Sequence, residues 1–493
     1  MTESFSQASR HTIKGTLWSF LGEGLALPTG FLVVIFLTRR LGPAGYGLYT
    51  LAAVLIAWTE ASIGSLFART TVKLVSEADN WKPIGANLTR MHFLTGCALA
   101  GLLFLLAAPL AALMGEPLIA GYVKLFALDV PLFALVLAHK YILIGVGSFR
   151  QRALSSAVRY TTRLMLITLL VELGLSVPGA ILGNIGATTV ELAVCRYFIR
   201  PGLLGGSRFP MRRFMEYSIP LFSYGMSIQI FEKLDLFALT VLGGSAAAAG
   251  IYGAAQNLSI IPPGILVLSF SPLLLSTINR LLIDKHDRSA KDMGCQAMRA
   301  VIALLPFAAV AAGAASEITV FVYGPAYSSA APVLAILVFG ALAMVFVSVS
   351  SNILIAGGKP RWAFALVGPL VPLAVIGHLI MIPRFGAIGA ASVTTCCAML
   401  AALASAFATY RLWRILPKAE ALLRSLMVSG VAYAITASWS APGILLLLKL
   451  TVITSAILLF YLFQGETSPR QMATILGIVP PRVTGEPEKE NRS

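Results

Sequence analysis

Long apolar runs, separated by short polar breaks, fill the chain almost from end to end. They fall near 15–38, 45–68, 88–113, 118–140, 153–173, 177–199, 215–241, 247–277, 296–316, 327–355, 361–382, 386–410, 421–440 and 443–463. About twenty apolar residues let a helix cross a hydrocarbon core of about 30 Å, where backbone amides find partners only within the helix, so the pattern predicts about fourteen spans. Pro28 is expected to kink the first span, and Gly42-Pro43 to turn the chain sharply into the second. The polar remainder is a tail at Met1–His11, a mixed-charge stretch over Arg69–Pro83, a basic connector at Arg200–Arg213 and a loop over Asn279–Gly294. A Pro- and Glu-rich end from Gly465 has the composition of a disordered tail.

The pattern repeats. YILIGVGSFRQR from Tyr141 returns as NILIAGGKPRWA from Asn352, pairing Ile142-Leu143-Ile144 with Ile353-Leu354-Ile355, Gly147 with Gly358 and Arg150 with Arg361 at a spacing of 211. LGPAGYGLY from Leu41 returns as LGGSAAAAGIY from Leu242, with Leu-Gly after 201 residues and the Gly-x-Tyr at Gly47 and Gly250 after 203. A weaker echo links GLSVPGA from Gly174 to FGAIGA from Phe385. A period near 200 residues is too long for a solenoid and suits the two halves of a transporter. Six spans, an even number, separate the two copies of the opening motif, so the halves are expected to share one orientation. The expected fold is an all-α polytopic membrane protein: parallel-related six-helix bundles over 1–205 and 206–415 around a central cavity, two extra helices over 416–463 and a cytoplasmic tail over 464–493.

Composition agrees, with 57% hydrophobic and 12% charged residues and a mean hydropathy of +0.84, against roughly a quarter charged in soluble domains. The net charge of +16 would suit nucleic acid, but the basic residues sit in short loops between apolar runs. Arg10 and Lys14, then Arg69, Lys73 and Lys82, Arg150 and Arg152, Arg200–Arg213, Arg280–Lys291, Lys359 and Arg361, and Arg411–Arg424 occupy alternate loops. The positive-inside rule makes those loops and both termini cytoplasmic, with Arg39-Arg40 alone against the pattern. The five cysteines lie in apolar spans with no CxxC and no His at ligand spacing, and DKHD from Asp284 reads as a solvated loop, so neither a metal nor a cofactor is expected. The first run lacks a small-x-small exit, so no cleaved signal peptide is expected.

The turn LTRRLGP-x-GYGLY and the exit SIGSLFARTTVKLVSEA from Ser62, with ILIAGGKPRW and IPRFGAIGAA in the second half, resemble bacterial polysaccharide-export proteins. These are the O-antigen and capsule repeat-unit flippases of the multidrug/oligosaccharidyl-lipid/polysaccharide (MOP) exporter superfamily. The resemblance covers most of spans one to twelve. It implies translocation of polyprenyl-diphosphate-linked oligosaccharides for O-antigen, capsule or exopolysaccharide synthesis across a bacterial inner membrane, with a polymerase and chain-length or export proteins as partners. It also places Arg39, Arg40 and Arg69 at basic positions of the family's turn and exit, where lipid phosphates would satisfy them equally.

Charges within the spans are the remaining candidates, because each must be paired or wetted. Arg152, Arg159 and Arg163 fall on one helical stripe of the fifth span, suited to gripping a diphosphate, snorkelling to headgroups or pairing with a carboxylate such as Glu191. Glu232, Lys233 and Asp235, with Gln229 one turn earlier, are either a structural Lys–carboxylate pair or a substrate-binding lysine with a proton-carrying acid. Glu23, Glu60 and Glu191, the last on a stripe with Asn184, Thr188 and Cys195, are further ion carriers. The chain carries no nucleotide-binding motif, which leaves coupling by H+ or Na+ as the expected energy source. A cation-coupled drug exporter of the same superfamily is the alternative. A membrane polymerase or transferase is more distant, because no loop is long enough to house an enzyme's acids and sugar site. Single-cysteine labelling is expected to report cytoplasm at Lys82, Ser207 and Lys418 and the outside at Gly115 and Gly243; outward labelling at Ser207 would break the parallel-repeat arrangement.

Overall fold

The structure, a computed structural model, describes residue 22 and residues 24–202, 211–283 and 286–464, and every regular element among them is helical. Glu23, the Ser207 labelling position, Asp284 and the tail from 465 lie outside the described residues. The chain is a polytopic, all-helical membrane protein. Nine stretches among the described residues are long and apolar enough to cross a membrane, and three of these, Ala26–Ser76, Phe149–Phe198 and Ala365–Trp413, run for 51, 50 and 49 residues. At 1.5 Å per residue each is about twice the length a bilayer needs. Each breaks at a glycine of positive φ: Gly42 (66°), Gly174 (89°) and Gly386 (55°). A Cβ is disfavoured in that backbone region, so glycine is where such a run can divide into two helices.

In chain order the helices are α1 (Ala26–Ser76), α2 (Trp81–Leu113), α3 (Leu118–Ala127), α4 (Asp129–Gly145), α5 (Phe149–Leu170), α6 (Ser176–Phe198), α7 (Met211–Val241) and α8 (Ala246–Ile283). They continue as α9 (Asp287–Ile302), α10 (Leu305–Gly313), α11 (Ala315–Tyr323), α12 (Ala331–Ala356), α13 (Pro360–Val367), α14 (Leu370–Trp413), α15 (Ala419–Ser438) and α16 (Leu445–Phe463). Two stretches expected as loops are largely helix. α1 continues through Arg69 to Ser76, and α2 starts behind Asn80, whose side chain accepts from the Lys82 N–H at 3.2 Å. α8 runs to Ile283 and α9 restarts at Asp287. The charges of α9 lie on one side while Ala290, Ala297, Met298 and Val301 are buried, as an amphipathic helix allows. The single run expected over 118–140 bends at Leu128, and Asp129 then opens α4, where the positive end of the helix dipole favours an acid.

The sequence echoes return as repeated backbone. Positive-φ glycines come in pairs: Gly42 with Gly243, Gly115 with Gly324, Gly147 with Gly358 and Gly174 with Gly386, at spacings of 201, 209, 211 and 212 residues. The ILI–Gly motif builds the same helix terminus twice. Gly147 and Ser148 donate to the Ile144 and Leu143 carbonyls at 3.0 and 2.8 Å; Gly358 and Lys359 donate to Ile355 and Leu354 at 3.0 and 2.9 Å. This is the paired bonding of a Schellman cap, which satisfies carbonyls that a helix end would otherwise leave open.

The chain forms two compact units. One contains the described residues up to Asn257 together with Val322–Tyr327 and Val371–Ala390, and the other contains Leu258–Phe321, Ser328–Leu370 and the rest of the described chain from Ala391. In the first, α1 and α8 meet through Gly47 and Gly250: a Cβ at Gly47 would strike the Ala246 carbonyl and one at Gly250 the Pro43 carbonyl. Glu116 caps the start of α8, accepting from the Ala246 N–H at 2.9 Å. In the second unit, Met298 of α9, Leu342, Val345 and Ile353 of α12 and Ala308 of α10 share one apolar core.

Fully buried Lys449 of α16 donates to Glu317 of α11 at 2.5 Å, and the other oxygen of Glu317 accepts from the Ala441 N–H at 2.9 Å. An ion pair thus ties α16 to α11 within the second unit. Glu317→Gln is expected to lower the folded, detergent-extractable protein more than Lys449→Met, because it strands a buried ammonium at a cost of about 3–5 kcal/mol. Lys449→Met combined with Glu317→Gln should restore part of the loss; thermal unfolding followed by size-exclusion chromatography reads all three.

Candidate functional site

The break at Gly174 sets the first polar centre. α5 and α6 fold back on each other about Leu175, so residues equally distant from it come together. Eight residues out, Gly183 lies against Ile167 so closely that a Cβ would come within 2.7 Å of it. Gly179 and Gly186 continue the small-residue face that permits this approach. Sixteen residues out on either side stand Arg159 and Glu191, and they meet: Arg159 Nε lies 3.4 Å from Glu191 Oε2.

α4 runs alongside α6 and supplies the next pair of contacts. Lys140 Nζ lies 3.2 Å from Glu191 Oε1, and Asn184 Nδ2 donates to Asp129 Oδ2 at 2.7 Å while the Thr188 hydroxyl donates to the Asn184 carbonyl at 3.2 Å. Glu191 is fully buried, whereas the side chains of Lys140 and Arg159 keep 12% and 16% exposure. The Arg159 guanidinium also stands 4.9 Å over the Phe133 ring, a cation–π contact from α4. One turn further along α5, Arg163 Nη2 donates to Tyr49 OH of α1 at 3.4 Å. Glu60 of α1 is half-buried and in electrostatic range of Asp129, Arg159, Arg163 and Glu191. Asn184, Thr188, Glu191 and Cys195 are all buried on one face of α6.

Hydrogen-bond capacity in this centre is incompletely used. Among the described residues, Arg159 Nε, Arg163 Nε, Asp129 Oδ1 and both oxygens of Glu191 are buried without a hydrogen bond. The ion pairs of Glu191 therefore have contact distance but not hydrogen-bond alignment.

A second polar centre uses the same construction. α7 and α8 fold back at Gly243-Gly244, and eight residues to either side Tyr252 OH donates to Asp235 at 2.6 Å. Gln256, a turn further along α8, bonds in several directions at once. It accepts from Lys233 Nζ at 2.8 Å and donates to the Glu232 carbonyl at 3.0 Å and to both Asp235 oxygens at 3.2 Å. The Leu236 N–H adds a further bond to Asp235 at 2.8 Å. Lys233 is linked to Asp235 through Gln256, because α8 supplies an amide that can donate and accept. The Glu232 side chain is exposed.

The remaining expected residues lie apart from both centres. Arg39 Nε donates to the Val322 carbonyl at 2.9 Å, Arg40 pairs with Glu172 at 2.6 Å, and Arg69 is exposed.

A family model described as polysaccharide biosynthesis protein matches residues 12–277, more than half of the chain. The chain belongs to the polysaccharide biosynthesis protein family. Among curated relatives, this family member is 25% identical over 331 residues to the succinoglycan biosynthesis transport protein ExoT of Rhizobium meliloti, covering 65% of this chain and 64% of that one. It is 30% identical over 187 residues to an uncharacterized membrane protein of Methanocaldococcus jannaschii, covering 35% and 36%. The chain thus spans less than two thirds of the length of either relative. Its fold matches that of the lipid II flippase MurJ in an inward closed conformation, with TM-score 0.70, 17% identity and coverage of 92% of this chain and 99% of that one. A mutant of the Vibrio cholerae MATE transporter VcmN matches with TM-score 0.60, 16% identity and coverage of 84% and 98%. The fold is that of the MOP superfamily.

Within the polysaccharide biosynthesis protein, sequence reasoning missed Asp129, Lys140 and Gln256. Asp129 sits inside an apolar run and carried the same intramembrane signal as Glu191. Lys140 could have been read from its place near the end of that run, while Gln256, uncharged, left no comparable mark. Gln256→Leu is expected to reduce folded protein clearly more than Tyr252→Phe, since it leaves Lys233 and Asp235 without their shared amide, whereas the phenylalanine removes one bond of about 0.5–1.5 kcal/mol. Equal thermal stability of the two variants would show that Gln256 is no hub.

Proposed function

We propose that this polysaccharide biosynthesis protein flips polyprenyl-diphosphate-linked oligosaccharide repeat units from the cytoplasmic to the outer face of a bacterial inner membrane, with both termini in the cytoplasm. The observation that carries the reading is the convergence of Lys140, Arg159 and Arg163 within membrane-spanning helices, with neither guanidinium Nε hydrogen-bonded. Guanidinium groups are planar, always charged and able to meet phosphate oxygens in pairs, so the stripe suits a diphosphate better than a neutral glycan. Family membership and the name of the ExoT relative point the same way. Lys233, already engaged by Gln256, is placed second as a substrate contact, and Arg39 and Arg69 at the margins of the path. The duplicated halves, 1–205 and 206–415, are taken as the moving bundles. H+ or Na+ carried by Glu60 and Asp129 is taken as the driving ion, with Glu232 and Asp235 as the corresponding acids of the second half and Glu191 as the acid linked to substrate binding.

A cation-coupled drug exporter is the second reading. It is favoured by the unbonded, fully buried oxygen of Asp129, which could meet an organic cation, and by the fold shared with MATE transporters.

Arg163 gives the cleaner test, since its hydrogen bond to Tyr49 is a long one, 3.4 Å. Arg163→Gln is expected to cut glycan export in a complementation assay at least about tenfold with membrane protein level unchanged, because charge-assisted bonds contribute about 1.5–3 kcal/mol each. Arg163→Lys should rescue only in part, keeping the charge and losing the fork. Full export with Gln would end the substrate-contact reading. Drug-dependent proton efflux from vesicles holding the purified protein would favour the second.

A further inference from the structure

We infer that Glu191 is a resident counter-anion: it holds Arg159 and Lys140 while the site is empty, yields them to the substrate's diphosphate, and takes up a proton as it does so. The inference rests on the diphosphate reading above and adds how binding is linked to an ion.

Two of the buried acids of the first unit are held in opposite ways. Asp235 accepts directed bonds from Tyr252, Leu236 and Gln256 at 2.6 to 3.2 Å. Glu191 is equally buried, yet neither oxygen has an aligned donor, and its two cations stand at 3.2 and 3.4 Å. Charge attraction holds it and hydrogen bonding does not fix it. Accessibility is also asymmetric: Lys140 and Arg159 keep exposed surface while Glu191 has none, so an entering anion meets the cations before the carboxylate. A diphosphate offers each cation what Glu191 does not, oxygens free to align with the N–H groups.

Once displaced, Glu191 would be a buried charge without a partner, a state costly enough that a carboxyl neutralises instead. The groups facing it reinforce this. Glu60 from α1 and Asp129 from α4 are acids, Lys140 from α4 and Arg159 and Arg163 from α5 are the cations the substrate takes, and Cys195 lies one turn along α6. With the cations engaged elsewhere, the acids that remain favour the protonated form of Glu191. When substrate leaves, the cations recapture the carboxylate and the proton departs.

Farnesyl diphosphate can serve as the probe, with farnesol as the control lacking phosphates. Glu191→Gln is expected to bind the probe about tenfold more tightly than the unaltered protein, a difference of about 1.4 kcal/mol, and to support less export because nothing competes for the cations at release. In weakly buffered detergent solution the unaltered protein is expected to take up about one proton per probe bound, and Glu191→Gln none. The proton measurement on the unaltered protein stands even if Glu191→Gln fails to fold. Probe binding that Arg163→Gln weakens, without proton uptake and without tightening in Glu191→Gln, would overturn this inference alone. Probe binding no stronger than that of farnesol would instead overturn the diphosphate reading on which it rests.

Discussion

A guanidinium within a membrane-spanning bundle must find its counter-charge at a fixed place, and in this chain a backbone reversal fixes that place. Gly174 lets α5 and α6 fold back about a defined residue, and the small residues of α6 let them approach closely enough for that register to hold. Arg159 and Glu191 are then opposite each other because they are equally far from the hinge. Everything else in the first centre is arranged around that pair: α4 brings Lys140 and Phe133, and α1 brings Glu60 and Tyr49. A register shift of one residue would rotate Glu191 by about 100° around α6 and separate the charges.

The same unit also contains a fully bonded polar centre, and the difference between the two has functional meaning. Around Asp235 and Gln256, directed hydrogen bonds leave little to be gained by rearrangement. Around Glu191 the charges are in contact while several donors and acceptors remain unused. A transport protein needs both kinds of interior: regions that keep their shape while the molecule moves, and a region whose partners can be exchanged at small cost.

Much of this fold was legible in the sequence. Apolar run lengths marked the spans, and the ILI–Gly echo marked a turn that the chain builds twice with the same hydrogen bonds. Helix ends inside polar stretches were not legible, because the charged face of an amphipathic segment such as α9 reads as loop when its buried face is short. Of the site, Arg159, Arg163 and Glu191 were visible as charges in apolar runs, and the arginine–carboxylate pairing was among the expected arrangements. Counting outward from Leu175, next to the Gly174 break, would have selected it. Lys140 and Asp129 meet α6 from α4, a helix that is not adjacent in the chain, and no count along one hairpin reaches them. The link from Lys233 to Asp235 through Gln256 depends likewise on what α8 carries opposite α7.

The buried pair Lys449–Glu317 has a bearing on how the protein is made. Lys449 stands in the second turn of α16 and is fully buried, so it depends on a counter-charge from another helix. Its neutralising partner belongs to α11, which is synthesised more than a hundred residues earlier. Lys449 is therefore neutralised only where α11 is already in place, which ties the settling of α16 to a helix made earlier.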